Sequence, residues 1–274
     1  MQALSSIALG ADAVPKYLRA TVLGQGFVDD ITKRGYHAVG GSTAAKWVLP
    51  QLSANGEHDV ALKLAAQTTY PSFGWWLSQG ATTCWESWSG VQDGSHPGTP
   101  QSAPLWGGGG PNNPTHNHIF LCGGAGEWMY HSLGGIAPAS AGYATVTIAP
   151  KISKTLGPSS VAASVQTVRG LVKSNWTRHE KGSRCFVQLA VSVPVGMHAT
   201  IDLPLLGRAP GAVAVEEVEV AHGALWRDGA ATGRAASLGW LRAPPRAAAE
   251  AGGGHVLRLE TAAGEFTLRG CDEN

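Results

Sequence analysis

The sequence predicts two domains, an α-helical part followed by a β-rich part. Apolar residues recur at helical spacing through the first part of the chain, and the period changes from 3.6 to 2 at residues 134–138. Beyond that point, short alternating runs are separated by Gly and Pro turns, which is typical of a β-sandwich. We therefore expect a helical domain over residues 1–138 and an antiparallel β-sandwich over residues 139–274.

Composition narrows the classes of partner. A chain of 274 residues, 43% of them hydrophobic, can bury a core in one or two domains. The net charge is +1 at pH 7 and Lys and Arg form no stripe, so we expect neither a nucleic-acid nor a membrane partner. No apolar run reaches the roughly 18 residues that span a bilayer, and residues 1–4 lack the basic start of a signal peptide, so we expect a soluble protein. The four cysteines have no zinc-site or CxxC spacing, so no metal site is predicted, and a disulfide is allowed but not indicated.

The helical part is predicted from periodicity, caps and breakers. The predicted helices cover residues 2–14, residues 17–31, a segment capped by Ser42 and ended before Gly56, residues 59–66, a short segment capped by Ser72, and residues 115–133. Short helices joined by short turns indicate stacked antiparallel hairpins, as in α/α toroids and α-solenoids, and the lack of an exact repeat favours a toroid. The glycine-rich run at residues 123–126 is tolerable in a helix where a neighbouring helix packs closely.

The rest of the chain is predicted as loops and strands. Residues 91–114 are too rich in Gly, Pro, Ser and Asn for regular structure and are predicted to form a long loop. We expect this loop to lie at the mouth of a site. The alternative is an unconstrained loop on the surface. Strands are predicted at residues 143–150, 161–172, 185–195, 199–205, 213–220 and 256–259. Residues 237–254 are predicted to form a mobile loop.

Residues 67–90 have the composition of a sugar site. A single carboxylate, Glu86, lies between Trp85 and Trp88 in a stretch rich in aromatic residues. Aromatic faces pack against the C–H faces of a pyranose, and a carboxylate among them can act as acid, base or nucleophile. The alternative is a structural carboxylate paired with an Arg, and large aromatic residues are more often core than ligand platforms.

Several motifs in order resemble one family. Tyr70-Pro71-Ser72-Phe73-Gly74, Gly80-Ala81-Thr82-Thr83-Cys84-Trp85-Glu86, Asn117-His118 and Gly126-Glu127-Trp128 resemble the C-terminal part of the bacterial-type α-L-rhamnosidases. Those enzymes are inverting glycoside hydrolases with a six-hairpin (α/α) toroid. The resemblance is clear from about residue 2 to residue 136 and weaker beyond. It implies a partial toroid, a rhamnose-containing glycoside or polysaccharide as substrate, and no redox cofactor or catalytic metal.

The same resemblance assigns roles to single residues. Glu86 matches the general base, and His118 matches a histidine that contacts the sugar and assists the base; the alternative for His118 is a histidine bonded within the helix packing. The expected substrate-binding residues are Trp85, Trp88, Trp75 and His37.

One component of the family's site is missing. An inverting glycosidase needs two carboxyl groups, and the family's acidic segment upstream of the base has no counterpart in this chain. We expect the chain alone to be weak or inert, with the missing N-terminal part of the same enzyme as its partner. Two other interpretations stay open: a non-catalytic sugar-binding relative, and a six-hairpin glycosidase for another sugar.

Overall fold

The structure is a computed structural model that describes residues 13–15, 18–37, 42–85, 123–179, 182–217, 224–233, 235, 241–251 and 254–272. It divides into two compact units, Met1–Trp128 and Met129–Asn274. The described parts of the first unit are helices and connecting turns, and the second unit is built mainly from two β-sheets. The predicted fold class, helices followed by a β-sandwich, is confirmed.

The first unit contains short helices close to those predicted. They are α1 (Arg19–Leu23), α2 (Asp29–Lys33), α3 (Ser42–Ala54), α4 (His58–Ala65), α5 (Phe73–Ser78) and α6 (Gly123–Trp128), with a π-helical turn, Gly24–Val28, between α1 and α2. The predicted first helix and the start of the predicted 115–133 helix lie outside the described residues, apart from residues 13–15, which are not helical. Pro50 lies inside α3, which nevertheless continues to Ala54.

Helix α3 is packed against both α4 and α6. Val48, Leu49 and Leu52 on this helix are buried. Ser53 at its end links the three helices, because its hydroxyl accepts a hydrogen bond from Trp128 Nε1 at 2.7 Å and lies 2.8 Å from His58 Nδ1. These polar contacts are buried, so they fix the register of α4 and α6 on α3.

A glycine allows the close approach of α6 to α3. A Cβ added to Gly124 would lie 2.6 Å from the Lys46 Cα and closer still to the Lys46 carbonyl, whereas a Cβ on Gly123 or Gly126 would meet nothing within 4 Å. The predicted role of the glycine run is therefore confirmed at one position, since only Gly124 faces the neighbouring backbone.

The second unit begins with a π-helical turn, Met129–Leu133, and continues as β-structure. Its described strands are β1 (Ile136–Pro138), β2 (Thr145–Ile148), β3 (Ser160–Thr167), β4 (Gly170–Arg178), β5 (Cys185–Val193), β6 (His198–Pro204), β7 (Val213–Glu217), β8 (Ala224–Arg227), β9 (Ala230–Ala231), β10 (Leu241–Ala249), β11 (His255–Thr261) and β12 (Gly264–Asp272). The small sheet has the order β1-β2-β6-β11-β10, and the large sheet has the order β3-β4-β5-β12-β7-β8-β9. Described pairs are antiparallel except for β2 and β6, which run parallel. Buried residues of both sheets form one core, as expected for a sandwich.

The structure corrects the predictions for two segments of the second unit, one predicted as a strand and one as a loop. The run predicted as one strand at 161–172 is a hairpin, because Gly170 adopts φ +124° and the Thr167 hydroxyl bonds the Arg169 amide and the Gly170 carbonyl across the turn. The predicted loop at 237–254 contains β10, which lies at the edge of the small sheet. Edge strands tolerate proline, and the register with β11 shifts where Pro244 and Pro245 occur.

Covalent and ionic links join neighbouring strands of the sandwich. Cys185 of β5 and Cys271 of β12 form a disulfide. Arg258 of β11 donates two hydrogen bonds, at 2.7 and 2.6 Å, to the carboxylate of Asp202 on β6. Hydrogen bonding to this buried carboxylate raises the pKa of Arg258, so its guanidinium stays charged. No helix in the described part of the chain is long and apolar enough to cross a membrane.

We predict that Gly124→Ala lowers the free energy of unfolding by about 1–3 kcal/mol or more, because its methyl group would overlap the Lys46 backbone. Gly126→Ala on the same helix is the matched control, and it should raise stability by up to about 1 kcal/mol through helix propensity. Urea unfolding of the two variants measures both changes. Equal effects of the two substitutions would contradict the close packing of α6 on α3.

Candidate functional site

An aromatic cluster organises the residues that lead to Glu86. Trp85 lies edge-to-face with Trp75, with ring centroids 5.6 Å apart and planes at 89°, and it packs on Trp76 at 5.8 Å. Tyr70 adds an edge-to-face contact with Trp75 at 5.0 Å, and Phe73 adds one with Trp76 at 5.4 Å. Each such pair contributes about 0.5–1.5 kcal/mol beyond the area it buries. The chain position one residue before Glu86 is therefore held by the packing of Trp85.

Trp75, Trp76 and Trp85 differ in solvent exposure. Trp76 is 3% exposed and Trp85 is 4% exposed, so their rings are packed inside the unit. Trp75 is partly exposed, although it contacts both Tyr70 and Trp85. In the described part of the cluster, Trp75 is the tryptophan with surface open to a ligand.

The segment before α5 folds into a closed loop. The Gly74 amide donates to the Gln67 carbonyl at 3.2 Å, and a Cβ on Gly74 would lie 2.5 Å from that carbonyl oxygen. The loop contains a cis peptide bond between Tyr70 and Pro71. Closing this loop requires glycine at 74, and the closure presents Tyr70 beside Trp75.

Helix α5 is fixed at both ends by residues that the sequence indicates. Ser72 caps its start as predicted, since its hydroxyl accepts a hydrogen bond from the Trp75 amide at 3.0 Å. Its end is closed by Gly80 at φ +80° and by the Ala81 amide, which donates to the Trp76 carbonyl at 3.0 Å. The chain then leads directly into Thr82–Trp85 and back to the cluster.

His37 joins the loop to the end of α2. Its Nδ1 lies 2.7 Å from the Arg34 carbonyl oxygen, and its Nε2 lies 2.9 Å from the Thr69 hydroxyl. A carbonyl can only accept, so Nδ1 carries the proton, and in the neutral ring Nε2 accepts from Thr69. His37 thereby holds Thr69, the residue next to Tyr70 of the aromatic cluster.

The structure brings three of the predicted site residues into one region. Trp75 and Trp85 touch, and His37 is connected to them through Thr69 and Tyr70. Glu86, Trp88 and His118 lie outside the described residues. Sequence analysis did not identify Thr69 as a site residue. It lies 32 residues after His37, and no sequence signal predicts a hydrogen bond between the two.

The sequence on both sides of Glu86 carries acidic residues but no basic ones over a long stretch. No Lys or Arg occurs between Lys63 and Lys151 in the sequence, while Glu86, Asp93 and Glu127 lie in that stretch. Lys63 lies 3.1 Å from the Tyr36 hydroxyl and over the Tyr36 ring at 4.6 Å. The alternative role for Glu86, pairing with an Arg, therefore needs a partner from a distant part of the sequence.

Two family profiles together match most of the chain. Residues 1–133 match the bacterial alpha-L-rhamnosidase 6 hairpin glycosidase domain, and residues 135–218 match the bacterial alpha-L-rhamnosidase C-terminal domain. The chain belongs to the bacterial α-L-rhamnosidase family. The resemblance drawn from its sequence motifs is thus confirmed, and with it the glycoside hydrolase class of the family.

Curated α-L-rhamnosidases are similar over much of this chain. The enzyme of Streptomyces avermitilis is 32% identical over 198 residues, which are 72% of this chain and 17% of the relative. The enzyme of Formosa agariphila is 32% identical over 182 residues, which are 66% of this chain and 18% of the relative. The chain therefore spans only about a fifth of the length of the curated rhamnosidases it matches.

Solved rhamnosidase structures have the same fold over the whole chain. The Streptomyces avermitilis α-L-rhamnosidase, determined in complex with L-rhamnose, superposes with a TM-score of 0.68 at 26% identity, covering 98% of this chain and 21% of that one. The α-L-rhamnosidase from Dictyoglumus thermophilum superposes with a TM-score of 0.70 at 23% identity, covering 100% of this chain and 25% of that one, which shows the fold.

We predict that Ser72→Ala lowers the free energy of unfolding by about 1 kcal/mol, because the Trp75 amide loses its cap. It should also weaken the near-ultraviolet circular dichroism of the tryptophan cluster. Ser78→Ala is the matched control, since the Ser78 hydroxyl lies at the exposed end of α5, where it donates to the Trp75 carbonyl and accepts from the Gln79 side chain. A larger loss in the control than in Ser72→Ala would show that this cap does not fix the cluster.

Proposed function

We propose that this chain is the C-terminal part of an α-L-rhamnosidase that hydrolyses terminal α-L-rhamnosyl residues with inversion, with Glu86 as the general base. The observation that carries the proposal is the packing of Trp85, 4% exposed, against Trp75 and Trp76 in a chain of this family. This packing holds the backbone one residue before the carboxylate. A base that activates a water needs such a fixed position.

The proposed chemistry requires a second carboxyl group. In an inverting glycosidase, one carboxylic acid protonates the leaving oxygen while a carboxylate on the other face activates a water, about 6.5–9.5 Å away. We assign Glu86 the second role, and we assign the first to the missing N-terminal part of the same enzyme. Among the described acids before Glu86, Asp29, Asp30 and Asp59 lie in first helical turns and Glu57 immediately precedes α4. Asp30 is paired with Arg34 at 3.2 Å. Surface positions of this kind suit solvated carboxylates rather than a general acid.

The sugar-binding residues of the proposal are Trp75, Trp85, Trp88, His37 and His118. Trp75 supplies open aromatic surface for the apolar face and methyl group of a 6-deoxy sugar, and Trp85 supports it from within the unit. Both ring nitrogens of His37 are bonded to Arg34 and Thr69, so this residue acts on the sugar through the Thr69 hydroxyl. His118 contacts the sugar beside the base.

The domains of the proposal are the C-terminal part of the toroid, residues 1–138, and the C-terminal β-sandwich, residues 139–274. The substrate is a rhamnose-containing glycoside or polysaccharide. No redox cofactor or catalytic metal takes part in the proposed reaction, because protonation and water activation are both carboxyl-group chemistry.

We predict that this chain alone hydrolyses an aryl α-L-rhamnoside no faster than its Glu86→Gln variant, because the acid is absent. The Streptomyces avermitilis α-L-rhamnosidase serves as the positive control in the same assay. Activity that Glu86→Gln abolishes would contradict the assignment, since an acid would then be supplied from within these residues.

We also predict that the folded chain binds L-rhamnose and that Trp75→Ala weakens binding at least about tenfold by removing the stacking surface. Trp47→Ala is the matched control, because Trp47 is a partly buried tryptophan on α3 of the same unit, with Lys46 Nζ 4.8 Å from its ring centroid. Titration calorimetry with L-rhamnose, L-fucose and D-mannose measures the affinities. Tighter binding of L-fucose or D-mannose would favour a six-hairpin glycosidase for another sugar.

A further inference from the structure

The turn between α3 and α4 holds the one Asn-Gly pair of the sequence, Asn55-Gly56. Helix α3 ends at Ala54 and α4 begins at His58, so the connection is only residues 55–57. An asparagine that precedes glycine is chemically labile, because glycine has no side chain to hinder attack by its backbone nitrogen on the asparagine amide. The pair is therefore a candidate site of covalent modification.

We propose that Asn55 is a deamidation site that the folded chain protects and that opening of the α3–α4 turn exposes. The Gly56 backbone nitrogen forms a bond to Asn55 Cγ and loses its proton to the solvent, while the side-chain nitrogen leaves as ammonia. Water then opens the resulting five-membered imide at either carbonyl, which leaves aspartate or iso-aspartate at position 55. The net reaction consumes water and releases ammonia. This site stands apart from the proposed sugar chemistry.

The end of α3 requires glycine at position 56. Gly56 has a φ of +91°, a left-handed conformation in which a side chain would be strained. Its amide donates to the Ser53 carbonyl at 3.4 Å, and the Glu57 amide donates to the Leu52 carbonyl at 2.8 Å, which is the Schellman closure of a helix. The Gly56 bond is the longer of the two, so the attacking nitrogen is the less firmly held.

The folded turn directs the Asn55 side chain away from that nitrogen. Asn55 Nδ2 donates to the Gln51 carbonyl oxygen at 2.8 Å and to Gln51 Oε1 at 3.3 Å. Both acceptors belong to the preceding helical turn, whereas the Gly56 nitrogen is the next one along the chain. Asn55 Cγ must leave these acceptors before the Gly56 nitrogen can attack it, and this requires local opening of the end of α3.

Deamidation changes the turn in a way that opposes its closure. The new carboxylate replaces an N–H donor that faced two oxygens of Gln51, at the helix end where the macrodipole is negative. Iso-aspartate also adds a carbon to the main chain of a short connection. That connection brings the Ser53 hydroxyl to 2.8 Å from His58 Nδ1, and the same hydroxyl accepts from Trp128 Nε1. Modification therefore weakens the contacts among three helices and makes the opening irreversible.

Peptide mapping of the full chain tests the site and its protection. The chain is incubated at mildly basic pH in buffer and, in parallel, in urea, and is then digested with trypsin. Asn55 is released in the peptide of residues 47–63, whose deamidated forms separate by chromatography and differ in mass. We expect this peptide to convert at least about tenfold faster in urea than in buffer. Equal rates would overturn the protection, and no conversion in urea would overturn the site.

The same digest contains an internal control. Asn175 precedes Trp176 and is released in the peptide of residues 174–178, which should stay unmodified because the indole side chain hinders the attacking nitrogen. Gly56→Ala, measured in urea so that folding has no influence, should slow conversion of the 47–63 peptide at least about tenfold. Conversion of both asparagines at the same rate, or an unchanged rate in Gly56→Ala, would contradict the assignment to the Asn-Gly pair.

Two substitutions test the effect of the product on the fold. Asn55→Asp introduces the carboxylate, and Asn55→Ala is the matched control that removes the same donor without adding charge. We expect Asn55→Asp to unfold at a lower urea concentration than Asn55→Ala, or to remain unfolded where Asn55→Ala folds, as followed by circular dichroism. Equal midpoints, or a higher midpoint for Asn55→Asp, would overturn the claim that deamidation opposes closure of the turn.

Discussion

The packing of Trp85 on Trp75 and Trp76 is the contact on which the rest of the site depends. This packing fixes the position of Trp85, the residue that precedes Glu86 in the segment after α5. The edge-to-face geometry with Trp75 also fixes the orientation of the Trp85 ring. Every other described feature of the region supports this contact. The Ser72 cap fixes the start of α5, and the loop closed at Gly74 brings Tyr70 into edge-to-face contact with Trp75.

Glycine at two positions allows the first unit to pack as closely as it does. Gly124 lets α6 lie directly on the α3 backbone, and Gly74 lets the site loop close on the Gln67 carbonyl. Both positions lack room for a Cβ, although neither requires a left-handed backbone. The sequence predicts close helix packing at the glycine-rich run that contains Gly124, but it carries no such signal for Gly74.

Local signals in the sequence predicted most of the helical part. Helix α4 and the Ser72 cap were predicted because caps and helical periodicity are encoded within a few residues. The strand β10 was missed, because its Ala, Pro and Arg residues suit a loop, and only its edge position in the small sheet makes them tolerable. The partner strand of β5, β12, was also missed, although it lies in the middle of the large sheet. Its pairing joins segments far apart in sequence, which periodicity does not report.

Parts of the candidate site were predictable and parts were not. The motif Trp85-Glu86 and the helix that carries Trp75 follow from the sequence and from the family resemblance. The hydrogen bond of His37 to Thr69 does not, because long-range pairing depends on the packed unit. The disulfide between Cys185 and Cys271 likewise has no spacing signal, since the two cysteines lie 86 residues apart in the sequence.

We propose that this chain carries the base side of a rhamnosidase active site. The most direct measurement replaces the matching C-terminal portion of the Streptomyces avermitilis α-L-rhamnosidase with this chain and compares that chimera with its Glu86→Gln form. We expect the folded chimera to hydrolyse an aryl α-L-rhamnoside, and we expect Glu86→Gln to lower its kcat by about 10²–10⁴-fold with little change in KM. A folded chimera whose kcat is the same with and without Glu86→Gln, or that binds L-rhamnose without hydrolysing the rhamnoside, would contradict it.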